Sequence, residues 1–203
     1  MEQKSPEWFT ARLGKVTASK VADVIAQTKS GYAASRANYM AQLVVERLTN
    51  TQAESFSNAA MEWGTEQEPF ARAAYEVAKG VIVEEVGFID HPTIAMSGAS
   101  PDGLVNDGGL VEIKCPNTAT HIETLLEQRA PNKYIAQMQW QMACTDRWWC
   151  DFVSFDPRMP EKAQLFVTRV QRDDEYIRTI ELEVRKFLSE LNAKVDKLKE
   201  MFS

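Results

Sequence analysis

Residues 100–116 read SPDGLVNDGGLVEIKCP, and this stretch decides the fold. Two runs rich in aliphatic and β-branched residues, 103–105 and 110–114, flank a glycine-containing turn signal, which is typical of a β-hairpin. Side chains alternate along a strand, so Glu112 and Lys114 share one face while Ile113 points to the other, into the core. The stretch therefore predicts a hairpin with charged groups on one face.

The register of this hairpin decides whether Asp102 joins the charged face. A three-residue loop at 107–109, with a glycine in the left-handed region, places Asp102 opposite Lys114 on the same face. A two-residue turn at 107–108 pairs Asp102 with Ile113 instead and points its carboxylate away. A convergent site at this hairpin requires the first alternative.

Helical patterns fill most of the first 80 residues, and strands and helices alternate after them. Pro69 predicts a kink or break in its helix because proline removes a backbone donor, and Gly80 is a usual stop. A closing amphipathic helix, capped by Asp173 or Asp174, is expected to pack against the sheet. Predicted helices cover 7–12, 19–27, 33–48, 57–79, 118–128 and 132–145, and further predicted strands cover 81–83, 86–89, 148–155 and 165–170. The fold class indicated is mixed α/β, a central mixed β-sheet flanked by helices with a helical N-terminal region.

The chain's 203 residues fit one domain with a well-buried core. We expect a single domain over 1–203, with a mainly helical part (1–80), the sheet and its helices (81–171) and a C-terminal helix (172–203). No apolar run approaches the roughly 20 residues that span a bilayer, and the start lacks the features of a signal peptide. We therefore expect a cytoplasmic protein without membrane contact.

Cysteine usage and charge exclude some classes of function. The three cysteines, Cys115, Cys144 and Cys150, are odd in number and form no CxxC pair, so we expect reduced, mostly buried thiols. A net charge of −6 argues against a general nucleic-acid coat. It does not argue against an enzyme, because an acidic metal site can lie inside a locally basic channel.

Asp102, Glu112 and Lys114 together suit metal-assisted hydrolysis of a phosphodiester. That reaction needs an attacking hydroxide and neutralisation of the charge that grows on the phosphate, and Mg²⁺ performs both tasks with hard oxygen ligands. Asp102 and Glu112 would supply carboxylates, the backbone carbonyl of Ile113 a third oxygen, and Lys114 would hold and polarise the attacking water. Asp followed by Glu-x-Lys is common by chance, so an exposed hairpin with a cross-strand Asp–Lys pair is the alternative interpretation.

The chain resembles the bacteriophage lambda-type exonucleases, the YqaJ-like viral recombinase nucleases of the PD-(D/E)xK superfamily, over most of its length. Seven segments carry the likeness: WFTARLG at 8–14, TAS at 17–19, WGTEQE at 63–68, SPDG at 100–103, EIKCP at 112–116, AQMQ at 136–139 and FDPRM at 155–159. The resemblance implies a restriction-endonuclease-like core and a Mg²⁺-dependent enzyme, with Mn²⁺ as a possible substitute, that degrades one strand of linear double-stranded DNA from 5′ to 3′. It also implies a homotrimeric ring that acts on DNA ends, and a single-strand annealing protein as the partner that uses the 3′ overhang in recombination.

The resemblance also implies roles for residues outside the hairpin. Asp102 and Glu112 match magnesium ligands, and Glu68 matches a helical carboxylate that binds a second metal directly or through water. Gln137 would face the site from a helix and position the water or the phosphate, with Gln141 one turn along on the same face. The alternatives are a solvated glutamate at a helix break for Glu68 and a plain helix-to-sheet polar contact for Gln137.

Arg12, Ser19 and Ser100 match the family's pocket for a terminal 5′ phosphate. A guanidinium grips phosphate with two hydrogen bonds, and a helix N-terminus attracts anions. Ser19 is alternatively a helix N-cap, and Arg12 alternatively makes a surface salt bridge. The segment 118–121 is poor in cations, so we expect DNA affinity to depend on basic residues elsewhere, which are Lys15, Lys20, Arg36, Arg129 and Lys133.

Two other functions stay open. One is an endonuclease or structure-specific nuclease that uses the same site without ring assembly. The other is a non-catalytic DNA-end-binding recombination scaffold, against which the presence of all the carboxylates and the lysine argues. Of the tryptophans, Trp8, Trp63, Trp140 and Trp148 are interpreted as core aromatics and Trp149 as a residue that lines an interface.

Overall fold

The computed structural model describes residues 2–53 and 59–202. Its α-helices are α1 (Pro6–Arg12), α2 (Val21–Ile25), α3 (Ala34–Thr49), α4 (Ala59–Lys79), α5 (Thr118–Glu127), α6 (Ile135–Thr145) and α7 (Asp174–Phe202). Its strands are β1 (Val16–Thr17), β2 (Gln27–Thr28), β3 (Gly31–Tyr32), β4 (Val83–Glu84), β5 (Ile89–Asp90), β6 (Ser97–Ala99), β7 (Gly103–Val105), β8 (Gly109–Lys114), β9 (Trp149–Phe155) and β10 (Leu165–Gln171). Short 3-10 turns cover Ala18–Lys20, Asn132–Tyr134 and Glu161–Ala163.

A five-stranded mixed sheet lies at the centre, with the strand order β10-β9-β8-β7-β4. The pairing of β8 with β9 is parallel and the other three pairings are antiparallel. A three-stranded sheet, β1-β6-β5, and the small hairpin of β2 and β3 lie outside it. The predicted mixed α/β class with a central mixed sheet is confirmed.

Helices cover both faces of the central sheet. On one face, Ala71 and Tyr75 of α4 pack with Val111 of β8 and Val153 of β9. On the other face, methionines of α6 pack with Leu110 and residues of β9. Alternation along β8 therefore directs Ile113 towards α4 and Glu112 towards α6, as the hairpin pattern predicts.

A second apolar core joins α2, α3, α6 and α7 beside the sheet. Leu43, Trp140, Phe187 and Leu191 are at most 1% exposed there. The closing helix begins where the sequence places it, since Asp173 accepts hydrogen bonds from the amides of Glu175 and Tyr176 at 3.1 and 2.9 Å. Its apolar stripe packs mainly against helices α2, α3 and α6, so the expectation that this helix packs against the sheet is wrong.

The hairpin loop lies one residue earlier than predicted, at 106–108, and Val105 pairs with Gly109. Asn106 takes the left-handed conformation with φ 50°, so the expectation of a left-handed glycine is wrong. Arg147 fixes this arrangement by donating to the carbonyls of Asn106 and Gly109 at 2.6 and 2.8 Å. A Cβ at Gly109 would overlap the ring of Trp149, which explains why glycine stands at that position.

This register places Asp102 opposite Glu112 instead of opposite Lys114, because Gly103 pairs with Val111. The predicted partner is therefore wrong by two residues. The predicted face is right, since a shift of two residues preserves the alternation of side chains. Asp102, Glu112 and Lys114 consequently share one face of the hairpin.

Three local predictions need correction. Helix α4 continues through Pro69 without a break, and its predicted start at Ser57 lies outside the described residues. Ser19 lies inside a 3-10 turn that precedes the short helix α2, so it caps no α-helix. Trp148 is 63% exposed and Trp149 packs against the core of the sheet, which reverses the expected roles of this pair.

Two further expectations concern the thiols and the membrane. All three cysteines are free and buried, as predicted. Across residues 2–53 and 59–202, no helix has the length and apolar character that crossing a membrane requires.

Candidate active site

Glu112 stands at the centre of the site, on the buried strand β8, with its side chain 0% exposed. One carboxylate oxygen accepts a hydrogen bond from the Gln137 amide at 2.6 Å and an ion pair from Lys114. The other oxygen accepts from the Gln141 amide at 2.7 Å. Buried carboxylates require such partners, and here two adjacent turns of α6 and the strand itself provide them.

Asp102 lies directly before β7 and its carboxylate accepts a hydrogen bond of 2.6 Å from the backbone amide of Ile113. Burial, and then the charge of Glu112, raise the pKa of Asp102 well above its ordinary value, although Lys114 opposes the shift. Two carboxylates thus lie close together in a poorly solvated place. A cation between or beside them would relieve this unfavourable charge.

Lys114 supplies one positive charge at the same place. Burial alone would lower the pKa of Lys114, but Glu112 and Asp102 outweigh it, and the pKa lies above the ordinary value. The amine is therefore a protonated ammonium at neutral pH. Its nitrogen also lies 5.1 Å from the centre of the Tyr134 ring, which forms a side of the site that the sequence analysis missed.

Glu68 approaches the site from helix α4. Its negative charge also raises the pKa of Asp102, by less than burial and the charge of Glu112 do. Its oxygens engage Arg72 one turn along at 2.9 Å and, at 3.8 Å, Lys4 near the N-terminus. Glu68 is therefore neither a free solvated glutamate nor a side chain aimed at a helix break.

Two of the three residues predicted to hold a 5′ phosphate line one cavity, and the third, Ser100, contacts Arg12 beside it. Arg12 and Ser19 line a cavity of about 370 Å³, and Arg12 lies 3.4 Å from the Ser100 hydroxyl. The Trp8 indole donates to the same hydroxyl at 2.9 Å, and the Arg12 guanidinium lies 3.9 Å from the centre of the Trp8 ring. Burial lowers the pKa of Arg12 from its ordinary value, although the residue remains a cation. Among the described residues the Arg12 guanidinium lies against the Trp8 ring and the Ser100 hydroxyl, and it forms no salt bridge there.

Of the basic residues expected to support DNA binding, Lys15 and Lys20 line this same cavity. Both also pair with nearby aspartates, at 2.6 Å for Lys15 and 3.2 Å for Lys20. Arg36 does not fit the expectation, because it is 6% exposed and pairs with Glu190 on α7. A buried guanidinium cannot contribute to a solvated DNA-binding face.

The FDPRM segment at 155–159 has a clear structural task next to the site. Arg158 pairs with Asp156 at 2.7 Å and lies 4.6 Å from the centre of the Trp63 ring on α4. Thr118, at the start of α5, donates to the same Asp156 at 2.6 Å. The cluster fastens α4 and α5 to the end of β9. The sequence carries no signal for it beyond the matched segment, because its members are distant along the chain.

The residues present fit a divalent metal of the magnesium type. Across residues 2–53 and 59–202, no three acidic, histidine or cysteine side chains form a ready-made metal cage. Mg²⁺ does not need one, because it commonly takes one or two carboxylates and keeps several waters. The hard oxygens of Asp102 and Glu112 match that requirement.

Comparison with known proteins places this geometry in a family. The model of the YqaJ-like viral recombinase domain matches residues 7–148. No curated protein matches the chain significantly. Two crystal structures of LHK-Exo, an alkaline exonuclease from Laribacter hongkongensis, one of them in complex with dAMP, are similar to the chain with 61% identity. Each aligns over 97% of both chains with a TM-score of 0.91.

A phage-related exonuclease from Haemophilus somnus 129PT is 17% identical over 93% of this chain and 96% of its own, with a TM-score of 0.71. At that identity the likeness shows a shared fold. The family model covers more than half of the chain, and LHK-Exo is similar over nearly all of it. The chain therefore belongs to the YqaJ-like viral recombinase family, as its motifs predict.

Proposed function

We propose that this protein is a magnesium-dependent exonuclease that degrades one strand of linear double-stranded DNA from 5′ to 3′ and leaves 3′ overhangs. The convergence of Asp102, Glu112 and Lys114 on one hairpin face is the observation that carries the proposal. Similarity to an alkaline exonuclease over 97% of the chain supports the assignment as a deoxyribonuclease. We further propose that residues 1–203 work as one nuclease domain.

Asp102 and Glu112, with the backbone carbonyl of Ile113, would hold Mg²⁺, and Mn²⁺ would substitute for it. When bound, such an ion lowers the pKa of a coordinated water and neutralises charge on the phosphate. Glu68 would hold a second ion directly or through water. Glu68 is paired with Arg72, so its carboxylate would have to release the guanidinium before it binds a metal ion.

Lys114 acts in this proposal as a positive charge beside the reacting groups. Its amine donates to the attacking water or to the phosphate oxygen on which charge develops. Gln137 and Gln141 hold the Glu112 carboxylate in place from α6. Gln137, which is less buried than Gln141, would also reach the water or the scissile phosphate.

In this proposal the direction of digestion depends on the cavity that Arg12 and Ser19 line. Arg12 and Ser100 are already joined, and Ser19 lines the same space, so a terminal 5′ phosphate would find a guanidinium and hydroxyl donors there. Binding that phosphate would select 5′ ends and set the strand that enters the site. A 5′-hydroxyl end lacks the anion and should be a poorer substrate.

Family membership supports three proposed partners. They are double-stranded DNA ends, two further copies of this chain in a homotrimeric ring, and a single-strand annealing protein that takes the overhang. The mass of the protein in solution tests the ring. A monomer at micromolar concentration would remove the ring while leaving the hydrolytic site in place.

A digest of 5′-phosphorylated linear duplex, with and without Mg²⁺, tests the activity. The wild-type protein should release mononucleotides only with the metal, and Lys114→Ala and Asp102→Ala should lose on the order of 100-fold or more of the rate. A closed circular plasmid is the matched substrate without ends. Cutting of the circle would favour an endonuclease, and wild-type rates in both variants would remove the site assignment.

A further inference from the structure

The outer faces of α3 and α7 enclose a groove of about 750 Å³ that shares no lining residue with the candidate active site. We name it the α3–α7 groove. It extends over three turns of each helix, from 33 to 45 beside α3 and from 190 to 201 on α7. Ala37 and Ala41 give it a shallow, exposed floor, and Met40, Val44 and Leu198 give it apolar walls. A surface of this length and shape fits a third helix of about three turns.

One wall of the α3–α7 groove contains the buried guanidinium of Arg36. Its Nη1 donates to Glu190 at 2.8 Å. Its Nε and Nη2 are shielded from solvent and have no hydrogen-bond partner among the described residues. Leaving charged donors buried and unpaired is costly in free energy. These two nitrogens form the side of a guanidinium that binds a carboxylate through two parallel hydrogen bonds.

Charge at the α3–α7 groove favours an acidic occupant. Lys194 and Lys197 on α7 line it together with Arg36, and Glu190 is the one carboxylate among the lining residues that the structure describes. The whole chain is acidic, with a net charge of −6, so this concentration of cations is local. Cations around an apolar floor complement a segment that carries both apolar and acidic side chains.

We propose that the α3–α7 groove binds an amphipathic helix of a partner protein, with apolar side chains over Ala37 and Ala41 and a carboxylate on Arg36. The guanidinium carbon lies 3.9 Å from the centre of the Tyr32 ring, which is 37% exposed on the small β2–β3 hairpin. Because Nε and Nη2 are shielded from solvent in this structure, a carboxylate contacts them only after a local rearrangement of the groove wall. The proposal does not depend on the nuclease assignment.

A synthetic helical peptide tests the proposal directly. The probe is stapled, carries leucines at helical spacings of three and four, and has glutamates flanking that stripe, because short unstapled helices are marginal in water. A matched peptide replaces each glutamate with lysine. Binding is measured by fluorescence anisotropy on the full chain, and the acidic peptide should bind at least about tenfold more tightly than the basic one.

Ala41→Glu fills the floor of the groove and repels the acidic peptide, and it should weaken binding by about tenfold or more. Ala193→Glu, on an exposed position of α7 outside the groove, is the matched control and should bind as the wild type does. Arg36→Gln should weaken binding similarly, with thermal unfolding of each variant measured alongside.

Three results would overturn the proposal. They are equal binding by Ala41→Glu and the wild type, equal binding of the acidic and basic peptides, and a change in the mass of the free protein in solution caused by Ala41→Glu. The third result would make the groove an interface between copies of this chain. If the wild-type protein and all the variants lack nuclease activity, the proposed function is refuted, and the proposal for the α3–α7 groove is unaffected.

Discussion

Glu112 and Glu68 are both carboxylates of the candidate site, yet the molecule holds them in opposite ways. Glu112 is fully buried on the central strand β8, and side chains from two elements donate to both of its oxygens. Glu68 is 27% exposed on helix α4 and engages two flexible cations, Arg72 and Lys4. A carboxylate fixed by the core has one available geometry, whereas one held by exposed ion pairs can change partner at little cost. We infer that the sheet defines the reaction centre and that the helix adjusts it.

Removing the charge of each carboxylate in turn is the strongest test of this comparison. Glu112→Gln should lower the single-turnover rate on 5′-phosphorylated duplex by about 1000-fold, since it removes a proposed metal ligand and the partner of Lys114. Glu68→Gln should lower it by about tenfold. Equal losses in the two variants would mean that both carboxylates are equally essential, and the distinction between a fixed and an adjustable ligand would then be wrong.

The support of Glu112 by α6 offers a finer test. Gln141→Leu removes a fully buried donor to Glu112 and should lower the rate by about 10- to 100-fold and the free energy of unfolding by about 1 kcal/mol. The loss of stability is limited because the Gln141 carbonyl oxygen, itself buried without a hydrogen-bond partner among the described residues, leaves with it. Gln137→Leu is the matched variant.

Because water can reach the less buried position of Gln137 and replace its hydrogen bond, Gln137→Leu should lower the rate without a measurable loss of stability. Urea titrations and single-turnover rates measure both effects. Equal losses of stability in Gln141→Leu and Gln137→Leu would show that the deeper burial of Gln141 does not make it the stronger support of Glu112.

The geometry of the sheet side also depends on Gly109, because a Cβ there would overlap the Trp149 ring. Gly109→Ala should lower the free energy of unfolding by about 1–3 kcal/mol, and any shift of the hairpin should displace Asp102 and slow the reaction. Gly64→Ala on α4 is the control. Its Cβ would meet nothing closer than 3.8 Å, and alanine in a helix should raise stability by about 0.5–1 kcal/mol. A stable Gly109→Ala protein would show that Trp149 moves freely.

The sequence predicts the sheet side of the site better than the helical side. Local periodicity determines the first, whereas contacts between residues far apart in sequence determine the second. On the sheet side, alternation along the strand is enough to bring Asp102, Glu112 and Lys114 to one face, even though the loop begins at Asn106 and the pairing is two residues from the predicted one. Local periodicity tolerates that error. It also predicts that Gln137 and Gln141 share a face of α6, one turn apart.

On the helical side, the contacts join residues that are far apart in sequence. Lys4 reaches Glu68, Arg158 covers Trp63, and no local pattern announces either pair. The burial of Arg36 is missed for the same reason, since its partners Glu190 and Phe187 belong to the last helix. The exchanged positions of Trp148 and Trp149 depend on the register of β9, which their adjacent residues cannot decide. In each case, contacts between distant parts of the chain decide whether a side chain is buried, and the residue type and its neighbours in sequence do not.

Acid should weaken the attachment of α4 and α5 to the end of β9, because Asp156 and Arg158 form that attachment. Burial would raise the pKa of Asp156, but hydrogen bonds from Arg158 and Thr118 outweigh it and lower the pKa to about 2. A carboxyl with a depressed pKa in the folded state stabilises the fold above its ordinary pKa, near 4, and that contribution disappears as the pH falls towards 2. Asp156→Asn should therefore be less stable than the wild type at neutral pH by about 1 kcal/mol, and the two proteins should converge as the pH falls from 4 to 2. Parallel stability curves over that range would mean that Asp156 does not titrate with folding, and the attachment of α4 to the sheet would then depend on the packing of Ala71 and Tyr75.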